Sequence, residues 1–423
     1  MSSRLSGKKN IFIIVVLIFT CLACYFLNNP TQMSPIWTAP FFSAATNFEM
    51  GKGFRISESD CWNFKYMPVS DREHYHFQES NSLSNYNHNP IGYVYFIIVA
   101  KKIFFWQSDI HAVESLQILI HVLISLVLLW SARSWAEMWL YTLLYAVNPL
   151  IIYFVTFPFY YALQAIPTIF AVGYLINKEL KYQYGSLFIA VFMAFVFLSR
   201  PTTLFVCLFV LLFFFLKEKR VYSISAALLF MATILIFNTS TKKNPWHTFY
   251  IGIGGYPNPY MSGLTDNNGY LLYQTKTGKT LNMGFGGSYY NDTVATQYQE
   301  ISRNEFIRIA EESPTLLIKN AVVNFFQSFS GGYFIDLPLW ISYVSAGIGL
   351  LLLVWMLYRK YYWWAVLIAV CSASFTPYFP PIQAYMFGAY VAIVCVIVQL
   401  LLQTELGKRI YQKTIIQNTA DKA

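Results

Sequence analysis

The stretch AVESLQILIHVLISLVLLW at residues 112–130 decides the fold. It is mostly apolar over about 20 residues, the length a helix needs to cross the hydrocarbon core of a bilayer. Further runs of this kind lie at 11–27, 136–155, 160–176, 185–198, 202–216, 223–237, 337–358, 363–378 and 382–402. The sequence therefore predicts an all-α polytopic membrane protein with about ten transmembrane helices.

Composition agrees. Of 423 residues 56% are hydrophobic and 12% charged, against the quarter or so that is charged in an ordinary soluble domain. The net charge of +9 would suggest nucleic acid in a soluble protein. Here Lys and Arg cluster beside apolar runs, as topology signals do, so no nucleic-acid partner is expected. Five cysteines fall inside apolar runs and only Cys61 lies in a loop, so no disulfide framework or zinc cluster is encoded.

The turns bearing Arg133, Lys178 and Lys181, then Lys217, Lys219 and Arg220, then Arg359 and Lys360, and the tail with Lys408 and Arg409, all fall on the side of the N-terminus with Arg4, Lys8 and Lys9. The positive-inside rule makes that side cytoplasmic. Around residues 25–28 no small-residue cleavage site follows the first run, which reads as a retained anchor. The expected plan is an N-terminal segment and first span (1–27), an external loop (28–109), six spans (110–237), a second external loop (238–336), three spans (337–402) and a cytoplasmic tail (403–423). Residues 91–106, interrupted by Lys101 and Lys102, are expected to form a helix along the membrane surface. Seven acidic residues lie in each loop, so chemistry is expected there. In the second loop, Ser302 and Glu305 read as a capping box, with Ile301 stapled to Phe306, opening a helix to Glu312. Ser313 and Pro314 open another, apolar helix expected to lie on the bilayer.

A transporter would place ionisable groups at mid-membrane. Only His121 sits clearly in mid-span, and a bond to a neighbouring helix is its plainer reading. A polymerase or ligase of lipid-linked oligosaccharides would be expected to carry an arginine-rich outer loop, whereas the second loop has Arg303 and Arg308. An apolar bundle with polar outer loops suits an enzyme joining a lipid-embedded substrate to a water-facing one.

Several segments then resemble one family. Ala44, Ala45, Asn47, Phe48, Gly51, Gly53 and Phe54 follow the first span; Asn89, Pro90, Ile91, Gly92 and Tyr93 open the surface helix; Ala146, Asn148, Pro149 and Leu150 lie in the third span; Leu198, Ser199, Arg200, Pro201 and Thr202 form a corner. In this order they resemble the GT-C type polytopic glycosyltransferases, including the protein mannosyltransferase and lipid A aminoarabinose transferase branches. The resemblance implies inverting transfer of a sugar from a polyprenyl-phosphate donor to a glycan, lipid or protein acceptor, on the periplasmic face of a bacterial inner membrane, as in O-antigen modification. The family's acidic pair before the double alanine is replaced here by Trp37 and Thr38.

Such a transfer needs a carboxylate to deprotonate the acceptor and cations to hold the departing phosphate. For the base Asp60 is favoured, then Glu49, over Glu58, Asp71, Glu73 and Glu79; for any one of them a solvated loop position is the plainer alternative. For the phosphate the candidates are Arg200, whose planar fork suits an anion at headgroup level, and Lys243 and His247, with Lys242, at the start of the second loop. Gly252, Gly254 and Gly255 there offer an anion nest or an ordinary turn. Asp71, Glu73, His74 and His76 could bind a divalent metal or form a solvated loop; no metal is assigned. Trp62, Tyr66, Tyr75, Tyr250, Tyr256 and Tyr260 suit sugar stacking or an interfacial belt.

Overall fold

The computed structural model describes residues 2–27, 35–78, 82–86, 90–238, 245–282, 284–285 and 292–414. It is 76% helical. Among the described residues the one sheet is a two-residue antiparallel pair, β1 (Arg55–Ile56) with β2 (Ser84–Asn85).

The first helix, α1 (Ser2–Leu27), is followed by three loop helices, α2 (Pro35–Glu49), α3 (Glu58–Tyr66) and α4 (Val69–Arg72), then α5 (Ile91–Ile103) and the long α6 (Asp109–Ser131). Next come α7 (Trp135–Tyr141), α8 (Pro149–Thr156), α9 (Ala165–Ile176), α10 (Gly185–Ser199), α11 (Leu204–Lys217) and α12 (Arg220–Phe237). The second loop carries α13 (Pro245–Gly252), α14 (Asn267–Thr277), α15 (Asp292–Glu312) and α16 (Pro314–Gln327). The chain closes with α17 (Leu339–Tyr358), α18 (Tyr362–Ser372), α19 (Gln383–Gln403) and α20 (Glu405–Thr414).

Among the described residues five helices are long and apolar enough to cross a membrane: Gly7–Leu27, Asp109–Ser131, Arg220–Phe237, Leu339–Tyr358 and Gln383–Gln403. A sixth candidate, Trp135–Ala146 with Pro149–Thr156, is bent by 47°. The bend has a local cause. Residues Thr142–Ala146 form a π-turn, and Pro149 forces Asn148 out of the helical region (ψ 122°), where its side chain caps the next helix through Leu150 N at 3.0 Å. Shorter apolar helices cover Tyr160–Ile176, Gly185–Ser199, Pro201–Lys217 and Tyr362–Ser372. The last stops short of the expected residue 378. By length and composition, then, five helices among the described residues, or six spans with the bent pair, are long and apolar enough to cross.

Apolar side chains also cover the outside of this bundle: Ile11, Ile14 and Phe19 on α1, Leu228 and Leu235 on α12, and Leu351 and Val354 on α17 are exposed. A surface of that extent suits lipid rather than water. Helix α16 is inverted in the same sense. It buries Asn320, Asn324 and Gln327 and exposes Ile318, Val322 and Phe325. Gly349 makes this packing possible, since a Cβ there would collide with the Phe326 carbonyl.

The basic turns gather at one end of the bundle, where helix C-termini leave carbonyls unpaired. Lys9 donates to Trp130 O and Ala132 O, both at 2.9 Å; Arg133 donates to Ile176 O at 3.4 Å; Lys217 donates to Lys178 O at 3.3 Å; Arg359 donates to Gln403. His121, in the middle of α6, is buried and bonds to Ala146 O at 3.0 Å.

One local expectation is corrected. Helix α15 begins at Asp292, so Ser302 is a buried mid-helix residue whose hydroxyl finds no partner among the described residues, and no capping box forms. The helix extends backwards because Tyr298 and Ile301 pack on Tyr273 and Leu281; Glu305 instead pairs with Arg308 at 2.6 Å and Lys276 at 3.6 Å. Ser313 and Pro314 do open α16, Ser313 standing at its N-cap position and Pro314 in its first turn, while the Ser313 hydroxyl bonds Tyr260 at 2.7 Å. Helix α5 is 13 residues long, about 20 Å, too short to cross. It packs against α2, α6 and α10, held close by Gly92, where a Cβ would strike the backbone of Phe195 and Ser199.

Candidate functional site

The first loop builds a charged cluster at the end of the bundle away from the basic turns. Helix α2 ends on Glu49, and the last turn of α5 brings up Lys101 and Lys102. Lys101 bonds Glu49 at 2.9 Å, Asp109 at 3.5 Å and the Thr46 hydroxyl at 3.0 Å; Lys102 reaches Glu49 at 3.4 Å. Lys101 is therefore the hub of the cluster. It read in the sequence only as an interruption of an apolar run, and its spacing from Glu49 and Asp109 gives no signal.

Asp60 sits beside this cluster in the first turn of α3. Ser57 caps that helix, its hydroxyl accepting from Asp60 N at 3.2 Å. The buried carboxylate accepts from the Tyr75 hydroxyl and from Gln78 N at 3.1 Å. Burial pushes its pKa above the ordinary carboxylate value, outweighing those two hydrogen bonds, and the charge of Asp109 adds to the rise.

Arg200 lies where α10 turns into the Pro201–Thr203 turn. Its guanidinium lies 4.0 Å from the Tyr385 ring centre and 5.1 Å from that of Tyr160, and it donates to the Tyr160 and Thr202 hydroxyls, each at 3.1 Å. No carboxylate comes within ion-pairing distance of it among the described residues. Neither Asp60 nor Glu49 contacts it directly. Helix α2 runs between the two places: the ring of Phe41, in its middle, lies 6.2 Å from that of Tyr160, and Glu49 forms its C-terminal end.

Compared with protein-family models, with curated proteins and with solved structures, the chain matches none. The site is therefore read from its own chemistry.

The other sequence candidates do not join it. His247, on α13, shares a 2.5 Å hydrogen bond with Tyr298, lies 3.3 Å from Asp266 and stacks on Tyr270. It is engaged in folding the second loop. Lys242 and Lys243 lie outside the described residues. Gly252, Gly254 and Gly255 form no open nest. They are buried, and a Cβ on each would collide with Tyr378 O, Gly263 O and Pro380 respectively, so they serve the close seating of α13. The metal candidates diverge: Asp71 accepts from Ser70 at 2.9 Å, Glu73 lies 3.6 Å from His111, and His76 lies 3.8 Å from Asp109. His74 packs its ring on His111. The loop aromatics are dispersed as well. Trp62 stacks on Tyr66, Tyr75 serves Asp60, and Tyr256 donates to Asn324 at 2.7 Å inside the bundle.

Proposed function

We propose that this protein is a membrane glycosyltransferase that moves a sugar from a polyprenyl-phosphate donor to a glycan, lipid or protein acceptor, with about ten spans in a bacterial inner membrane and its site on the periplasmic face. The observation that carries this reading is Arg200: a cation in an aromatic cage, at the junction of apolar helices and polar loops, with no carboxylate opposite it among the described residues. A partly buried guanidinium without a counter-ion favours an anionic ligand, and the fork of its N–H groups matches a phosphate. Its place at a helix end suits a phosphate whose lipid chain runs among the helices. The order of short motifs from Ala44 to Thr202 supports the same reading.

In the reaction the acceptor hydroxyl attacks the anomeric carbon, the bond from that carbon to the phosphate oxygen breaks, and the hydroxyl proton passes to a carboxylate. Asp60 is the proposed base, since its raised proton affinity suits it to take that proton, and Glu49 is the alternative; because α2 separates both from Arg200, either acts only once α2 and the first loop move toward the cage on substrate binding. Arg200 stabilises the charge that grows on the departing phosphate. Purified protein given a polyprenyl-phosphate sugar and an envelope glycan should release polyprenyl phosphate and extend the glycan. If no sugar-phosphate lipid is turned over, and none binds in an Arg200-dependent way, the reading is wrong.

A further inference from the structure

A cavity of about 480 Å³ opens at the same end of the bundle, between α2, α8, the segment before α17 and the start of α19. That volume lies within the about 300–1,000 Å³ usual for small-molecule sites. One wall is a ladder of near-parallel rings: Tyr153 and Phe157 are inclined by 22°, Phe157 and Tyr161 by 16°, with centres 6.3 and 6.2 Å apart. Three residues with hydrogen-bonding side chains, Asp336, Gln383 and Thr38, complete the lining. The Thr38 hydroxyl is buried and has no hydrogen-bond partner among the described residues.

We infer that this cavity binds a pyranose ring, with its apolar face on the Tyr153–Phe157–Tyr161 ladder and its hydroxyls donating to Asp336. Parallel aromatic rings meet the C–H face of a sugar, and a carboxylate takes two adjacent hydroxyls as no apolar ligand requires. A purely isoprenoid occupant would leave Asp336 and Gln383 without purpose. The cavity is linked to the Arg200 cage through its Tyr161 ring, which lies 5.3 Å from the Tyr160 ring of the cage. On the proposed transfer reaction, on which this part alone rests, the pyranose is the acceptor sugar, lined up beside the donor phosphate. Asp336 then acts as a substrate-holding group that sequence reasoning passed over, because it closes a long loop next to an apolar run.

Saturation-transfer NMR tests this on the full chain in phospholipid nanodiscs. The probes are methyl pyranosides of glucose, galactose, mannose, rhamnose and glucuronic acid, with farnesyl phosphate as the isoprenoid. At least one pyranoside should receive saturation at its ring C–H protons. Asp336→Asn should weaken its binding roughly tenfold, as expected for losing a charged hydrogen bond, and Tyr153→Leu should weaken it too, while Glu300→Gln, in the second loop, leaves it unchanged. In the transfer assay Asp336→Asn should raise KM for the acceptor more than it lowers kcat. The inference is overturned if no pyranoside responds, if the response is the same in Asp336→Asn, or if only the farnesyl chain responds through Tyr153. Pyranoside binding that depends on Asp336 in a protein without transferase activity would keep the sugar site and remove the enzyme reading.

Discussion

The guanidinium of Arg200 lies 4.0 Å from the ring centre of Tyr385, so the cation is fixed by residues nearly two hundred positions apart. The cage holds the planar fork in one orientation, which a lysine cannot reproduce. Arg200→Lys should lower sugar transfer roughly 100-fold, the scale of losing one preorganised donor to a developing oxyanion. Thermal unfolding in detergent should be little changed. Full transfer in this variant would remove Arg200 from the phosphate site.

Asp60 leads to a second expectation. Asp60→Asn keeps an acceptor oxygen for Gln78 N and turns the other position into an amide N–H that the Tyr75 hydroxyl can accept from, but it removes the base, so turnover should fall by roughly 100-fold or more. Because burial raises the folded-state pKa of Asp60, the acidic limb of the kcat/KM profile should lie above the ordinary carboxylate range, with activity lost as pH falls through it. The sign for stability is the opposite. The folded chain holds this proton more tightly than the unfolded one, so ionised Asp60 costs stability at high pH that returns as pH falls. Wild type should therefore lose stability relative to Asp60→Asn as pH rises. Wild-type turnover in Asp60→Asn, together with an inactive Glu49→Gln, would exchange the two assignments.

Lys101 joins Glu49 and Asp109 across three helices. Lys101→Met should leave the buried Asp109 carboxylate without its lysine and Glu49 with Lys102 alone, at a cost of roughly 3 kcal/mol, near the lower end for such a break because the site is not fully enclosed and Lys102 still reaches Glu49. Adding Glu49→Gln should recover part of the loss, which a double-mutant cycle of thermal unfolding would measure. A Lys101→Met protein as stable as wild type would mean that the ion pairs are dispensable.

Gly252 is seated against the Tyr378 carbonyl, so Gly252→Ala should force α13 away from the bundle and destabilise the protein by about 1–3 kcal/mol. Gly278 is at φ 70° with open space around it, and there Gly278→Asn should be tolerated. If both variants unfold at the same temperature, the close seating of α13 is not as described.

The orientation is tested by labelling. Lys279→Cys, in the second loop, should react with an impermeant maleimide in intact cells, whereas Glu179→Cys, beside the basic turns, should react only after permeabilisation. The reverse pattern would invert the topology.

The sequence by itself determined the membrane character and the sorting of charge. Apolar runs and the Lys and Arg beside them are local properties, and the basic turns do meet at one end, where Lys9 and Arg133 close off carbonyls at the ends of α6 and α9. It also held the break at Asn148 and Pro149, since proline chemistry acts on adjacent residues. What only the tertiary structure decided is which polar groups face each other. Lys101 became a hub, Ser302 fell inside a helix, the glycines at 252–255 became packing contacts and Asp336 came to line a cavity with Thr38. Each of these depends on contacts between segments tens to hundreds of residues apart, and neither residue type nor spacing within any one segment specifies them.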